Sequence, residues 1–221
     1  LFIIFLSTSV SFTEVGEGSA YIIVTPEAFL PSKFYSYFLL FGGETTNIFN
    51  LEKKEGSYKQ LDSMIIFNDP RKINLGCRVI CKNKNDENKV VKFIKEKNIK
   101  NNYDKYEELR ISNCIPDIEK DNLYNNAYLL QYNFEKLNAI CWKKGCFIGQ
   151  EVTVRMKNKG LGKKKLFPIK NILKNLHPKD EIKHNNQIIG HVTSSKKKIG
   201  LALLDISAAK KMKKQKKFLV I

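Results

Sequence analysis

The densest chemistry in this 221-residue chain lies in Trp142-Lys143-Lys144-Gly145-Cys146-Phe147-Ile148-Gly149-Gln150-Glu151-Val152-Thr153-Val154-Arg155. Gly145 and Gly149 bracket a single thiol as the ends of a tight loop would. Gln150 to Lys157 then has helical character, with Glu151 and Arg155 one turn apart. Cys146 therefore stands just ahead of a helix N-terminus with Lys143 and Lys144 beside it. A helix start and neighbouring ammonium groups both favour the thiolate, the form that attacks electrophiles or binds soft metals. The same spacing also fits a small, inert cysteine buried in a turn.

The other thiols are Cys77, Cys81, Cys114 and Cys141, five in all with Cys146. An odd count with no Cys-x-x-Cys and no zinc spacing indicates free thiols in a reducing compartment. Cys77 and Cys81, four apart, share one face of an expected strand, and Cys141 beside Trp142 is expected in core packing. His177, His184 and His191 are widely spaced and read as surface residues. Asp69 before Pro70 is first a turn residue, and Gly42-Gly43 first a helix stop. Glycine-rich phosphate loops and Ser/His/Asp signatures are absent.

Positioning these residues requires an α+β domain followed by a compact β domain. Residues 1 to 12 and Ala20 to Thr25 read as paired strands. Pro26 to Phe41, with Phe29, Lys33, Tyr37 and Phe41 four apart, reads as an amphipathic helix. Thr45 to Leu51, Met64 to Phe67 and Leu75 to Cys81 are candidate strands, Lys53 to Tyr58 is a polar loop, and Lys82 to Lys89 has the composition of a mobile loop. Tyr103 to Ile111 is a helix. Beyond the break at Gly160 to Gly162, short strands are expected at Lys165 to Ile169, Glu181 to Lys183, Gln187 to Thr193, Ile199 to Leu204 and Phe218 to Ile221. Asn185-Asn186 forms a hairpin turn between the second and third of them. Strands of this length separated by turns predict a small C-terminal barrel. The expected domains are 1–159 and 160–221.

With 43% hydrophobic and 28% charged residues, the composition excludes a disordered tail and a bilayer protein. The formal charge of +17 invites an acidic partner. Yet Arg71, Arg78, Arg110 and Arg155 are the only arginines, and much of the lysine sits in runs such as Lys82-Asn83-Lys84-Asn85. Such runs are solvated surface more readily than a dedicated nucleic-acid face. Leu1 is not a methionine, and the apolar run from Leu1 to Leu6 is too short to span a bilayer and lacks the basic flank of a signal peptide. It reads as a buried strand in a fragment whose targeting peptide, if any, is absent.

Lys144-Gly145-Cys146-Phe147-Ile148-Gly149-Gln150-Glu151 resembles the Lys-Gly-Cys-Tyr-x-Gly-Gln-Glu signature of the folate-binding YgfZ family. That family includes the mitochondrial Iba-type iron–sulfur cluster assembly factors and is related to the T-protein, the aminomethyltransferase of glycine cleavage. Asp69-Pro70-Arg71 with Leu75-Gly76-Cys77-Arg78, and Tyr106, Arg110-Ile111 and Ile115-Pro116, are similar to further family stretches. Leu130 to Phe134, Lys165 to Pro168 and Gly200 to Leu204 also fit. Phe147 stands for the usual Tyr, Leu129 for a Pro, Cys114 for a Gly, and Gln131 for a position often acidic.

The resemblance implies a partial aminomethyltransferase-like core of antiparallel sheets and packed helices, followed by the small barrel. It implies Cys146 as the ligand of an iron–sulfur cluster shared with an A-type carrier protein, in the maturation of four-iron clusters in the mitochondrial matrix. Gln131, Asn133 and Arg155 would line a tetrahydrofolate pocket. A folate-dependent aminomethyltransferase and a tRNA-modification factor are the alternatives. The centring of the motif on a thiol favours the assembly factor, because aminomethyl transfer needs a carboxylate and no thiol, whereas cluster ligation needs soft sulfur.

Overall fold

A computed structural model describes residues 21–25, 36–42, 45–124, 127–143, 150–171, 173–215 and 219–220. It divides into two compact units after Tyr106, within a helix. The strands expected at 1 to 12, the first part of the Pro26 to Phe41 segment and the 144–149 segment lie outside the described residues.

The first unit holds a six-stranded, mainly antiparallel sheet. Its strands are β1 (Tyr21–Thr25), β2 (Ser36–Phe41), β3 (Tyr58–Leu61), β4 (Met64–Asn68), β5 (Cys77–Cys81) and β6 (Lys100–Asn101). Their spatial order is β3-β4-β5-β2-β1-β6, with β6 alone parallel to its neighbour. Ser36 to Phe41 is therefore strand, not the end of a helix. Phe38, Leu39, Leu40 and Phe41 are all buried, and a central strand covered on both faces loses the alternation that marks strands in sequence. Gly42 ends this strand with φ 82° and is not a helix stop.

Thr45–Ile48 forms a single helical turn, α1, where a strand was expected. Lys84–Glu96 is helix α2, although its first half has loop composition. The Asn83 side chain accepts from the Asp86 backbone N–H at 2.9 Å and so caps the helix. Further along, Val90, Val91, Phe93 and Ile94 join the core formed by Phe38, Leu40, Ile66 and Val79. Polar residues in the first turn therefore act as a cap, and the apolar stripe behind them drives the helix onto the sheet.

The helix α3 (Tyr103–Ser112) leads into the second unit, which contains α4 (Gln150–Asn158), β7 (Lys164–Lys170), β8 (Glu181–His184), β9 (Gln187–Lys196), β10 (Ile199–Asp205), α5 (Ile206–Gln215) and β11 (Leu219–Val220). The strands form an antiparallel sheet in the order β11-β7-β10-β9-β8. Asn185 and Asn186, with φ of 50° and 62°, make the expected hairpin turn between β8 and β9. Among the described residues no pairing joins β8 to β11, so the sheet is open and not a closed barrel.

Both faces of this sheet are covered by other elements. Ala202 and Leu204 face a cluster that includes Ala209 and Met212 of α5, while Leu201 and Leu203 face Ile111 and Tyr132. The apolar faces are thus buried without the sheet curling on itself. No helix among the described residues is long and apolar enough to cross a membrane.

Candidate functional site

Within the segment 142–155, the described structure begins and ends on the flanks. Lys144, Gly145, Cys146, Phe147 and Gly149 lie outside the described residues. Gln150 opens α4, as the spacing of Glu151 and Arg155 predicts, with Thr153 buried and Glu151 and Arg155 exposed.

Gln131 and Asn133 lie in the run of turns that precedes Trp142. The Gln131 backbone carbonyl accepts from the Leu166 N–H at 2.7 Å. Asn133 is buried with φ 63°, and its Nδ2 donates to the Leu166 carbonyl at 2.9 Å and to Cys114 Sγ at 3.2 Å. Both residues thereby fasten this turn to β7. The Asn133 amide nitrogen thus bonds within the protein's own interior.

The thiols fall into distinct settings. Cys77 and Cys81 share the buried face of β5, as their spacing predicts. Cys77 Sγ lies 3.4 Å from the Thr45 carbonyl and 3.2 Å from Asn68 Oδ1. Burial pushes its thiol up to about 11 and raises that of Cys81. Cys114, which donates to the Leu166 carbonyl at 3.3 Å, is pushed up to about 12, again by burial. Such thiols are poor nucleophiles and poor ligands near neutral pH. Cys141 is exposed, contrary to the expected core packing. The ring of the neighbouring Trp142 packs under Lys157, whose Nζ is 3.8 Å from its centroid, and leaves no core for Cys141 to enter.

The remaining motif residues hold the fold together. Asp69 is fully buried and does more than form a turn. Its Oδ1 accepts from the Arg71 backbone N–H at 2.9 Å and from Arg71 Nε at 3.0 Å, while Oδ2 accepts from Arg71 Nη2 at 2.8 Å and Arg78 Nη2 at 2.6 Å. Tyr106 accepts from Arg71, and Tyr37 from Arg78, closing the cluster. In the second unit Arg110 is forked onto Glu107 and bonded to Asp121 Oδ2 at 3.2 Å, Ser194 Oγ at 3.2 Å and the Ile115 carbonyl at 2.7 Å. Thr193 donates to the other oxygen of Asp121. Buried charges survive only when paired in this way. Asp121, Thr193 and Ser194 carry no local sequence signal for their part in it, because Thr193 is 72 residues from Asp121 and Ser194 is 84 from Arg110.

Among the described residues no group of three or more His, Cys, Asp or Glu could hold a metal ion. His177 and His191 are exposed and His184 is partly so, in keeping with surface positions. An open cleft of about 660 Å³ in the second unit is lined by Lys164, Lys179, Lys211, His184 and His191 among others, and by none of Gln131, Asn133 or Arg155.

No family model matches the chain. Among curated proteins it is 33% identical over 112 residues to the mitochondrial "Iron-sulfur cluster assembly factor IBA57 homolog" of Dictyostelium discoideum, covering 49% of this chain and 26% of that protein. It is 37% identical over 65 residues to the mitochondrial factor IBA57 of Mus musculus, covering 29% and 18%. Against that of Homo sapiens it is 29% identical over 104 residues, covering 45% and 29%. The chain thus matches about a quarter of the length of these relatives.

Proposed function

We propose that this chain, a relative of the Iba-type mitochondrial iron–sulfur cluster assembly factors, is itself part of such a factor and acts in mitochondria with an A-type carrier protein. The observation that carries the reading is the similarity to assembly factors of that one name from amoeba, mouse and human. The thiol inventory is consistent with it: Cys77, Cys81 and Cys114 are withdrawn by burial, which leaves Cys141 and Cys146 as the sulfurs a cluster could take, and the motif centres on Cys146. The iron–sulfur cluster is the cargo. Cys146, losing its proton to solvent, supplies a thiolate to one iron while the carrier holds the rest, and such soft sulfur suits iron in these clusters. On this reading the chain binds and hands over, and does not turn over a substrate as an enzyme does.

The reading also takes the core as aminomethyltransferase-like and the strands β7 to β11 as the counterpart of the family's C-terminal barrel. Tetrahydrofolate would meet Gln131 and Arg155. Asn133 would meet it too, its amide nitrogen also bonding the Leu166 carbonyl and Cys114 Sγ. No step of cluster handover is routed through folate. The test is genetic. Cells lacking the native factor should regain four-iron enzyme activity when the full-length protein is expressed in mitochondria. Restored growth on glycine-cleavage substrate alone, with four-iron enzymes still inactive, would favour the aminomethyltransferase instead.

A further inference from the structure

The cleft in the second unit arises from a mismatch of strand lengths. β10 ends at Asp205, and its last partner on β9 is Gly190, opposite Leu204. Gln187 and Ile188 belong to the part of β9 beyond that point and pair with His184 and Lys183 of β8. Where more of β10 would have lain, the chain turns into α5. Among the described residues no strand pairs with 187–189 on the side away from β8. An unpaired edge of this kind is a template for another extended chain. It borders the open cleft of about 660 Å³, and Ile188 on the cleft wall is 59% exposed.

The charges around this edge are unequal. Lys164, Lys179 and Lys211 line the cleft and enter no ion pair among the described residues. The two carboxylates there are already engaged. Glu181 lies 3.0 Å from Lys183. Asp205 Oδ1 accepts from the Ser207 and Ala208 backbone N–H groups at 2.9 and 3.1 Å and from Ser207 Oγ at 2.6 Å, capping α5. The helix start is thereby filled, and the ammonium groups are what an incoming anion would meet. A concave surface rich in one sign of charge concentrates the other. Among the described residues lining the cleft there is no Phe, Tyr, Trp or Arg on which bases would stack or phosphates fork. The strand edge and Ile188 suit a polypeptide instead. We propose that this cleft docks an extended, acidic segment of a partner protein, which adds beside 187–189 as a short strand, sets an apolar side chain over Ile188 and turns its carboxylates to Lys164, Lys179 and Lys211. Cluster ligation plays no part in this recognition.

The test uses the full chain and a fluorescent peptide of about six residues alternating Glu and Val, which as a strand puts carboxylates on one face and apolar groups on the other. Its counterpart with Gln for Glu and a uridine hexamer are the comparison probes. At about 0.15 M salt the acidic peptide should bind at least about fivefold tighter than either, read by fluorescence anisotropy. In Lys179→Glu/Lys211→Glu its affinity should fall by about tenfold or more. Lys53→Glu/Lys59→Glu makes the same change of net charge in the first unit and should alter the affinity less than about twofold. All four lysines are exposed, so both variants should melt close to the parent. Amide exchange in the unsubstituted chain is the second measurement, and the peptide should slow it at 187–189. No binding of the acidic peptide, equal losses in the two double variants, tighter binding of the uridine hexamer, or unchanged exchange at 187–189 would each overturn the proposal.

Discussion

At the scale of single residues, the cysteines divide by what surrounds them. An unfolded thiol ionises near the ordinary value of 9.0, whereas folded Cys77 and Cys114 hold their protons to about 11 and about 12 because burial penalises the anion. Between those values the unfolded chain releases protons that the folded chain keeps. Stability is therefore full below pH 9 and falls as pH climbs through that window. Denaturant midpoints measured from pH 8 to 11 should decline, and the decline should weaken in Cys77→Ala once its lower starting stability is subtracted. Alkylation of the native protein at pH 8 should modify Cys141 and Cys146 and spare Cys77, Cys81 and Cys114 until unfolding. Modification of Cys77 at the rate of Cys141 in the folded protein would contradict the burial described. The exposure of Cys141 was not legible locally: an aromatic neighbour suggests a core, but here the aromatic ring is engaged by Lys157 and Glu135.

At the scale of elements, strands at Met64–Asn68 and Cys77–Cys81 and through the second unit's sheet were legible because they alternate or are bounded by turn residues. The hairpin at Asn185-Asn186 and the helices Tyr103–Ser112 and Gln150–Asn158 were legible for the same local reasons. Ser36–Phe41 was not, since burial on both faces erases the period-two signal, and α2 was not, since its cap is written in Lys, Asn and Asp. The helix α5 after β10 was missed because its lysines mask the pair Ala209 and Met212 that bury it. Of the residues singled out by family resemblance, Gly76 has a clear mechanical reason. Its φ is 88°, and a Cβ there would stand 2.0 Å from the Leu40 carbonyl oxygen and 2.7 Å from the Phe41 Cα. Backbone cannot yield as a flexible side chain can. Gly76→Ala should cost at least about 3 kcal/mol in a denaturant titration, combining left-handed strain with displacement of β2. A loss below about 1 kcal/mol would mean that β5 does not approach β2 as described.

At the scale of the whole molecule, the charge of +17 is spread over lysines on many elements. Contacts of that kind neutralise phosphate without reading bases. Filter binding to RNA should be weak, indifferent to sequence and lost steeply as salt rises; tight binding to one tRNA at physiological salt would bring the tRNA-modification alternative forward. Of the sequence features around the candidate thiol, the helix start after it was legible, and α4 opens at Gln150. The contact of Glu135 with Trp142 and Lys157 was not, because the three meet only in three dimensions. The most direct test of the account is to mix the full-length protein, as parent and as Cys146→Ser, with a cluster-loaded A-type carrier and record the visible spectrum. Serine is nearly isosteric but its hydroxyl stays protonated and is a harder donor, so it makes a poor iron ligand. The parent should give a new absorption band. The variant should melt within about 2 °C of the parent and give none, whereas an undiminished band from Cys146→Ser would contradict the assignment of that thiol to the cluster.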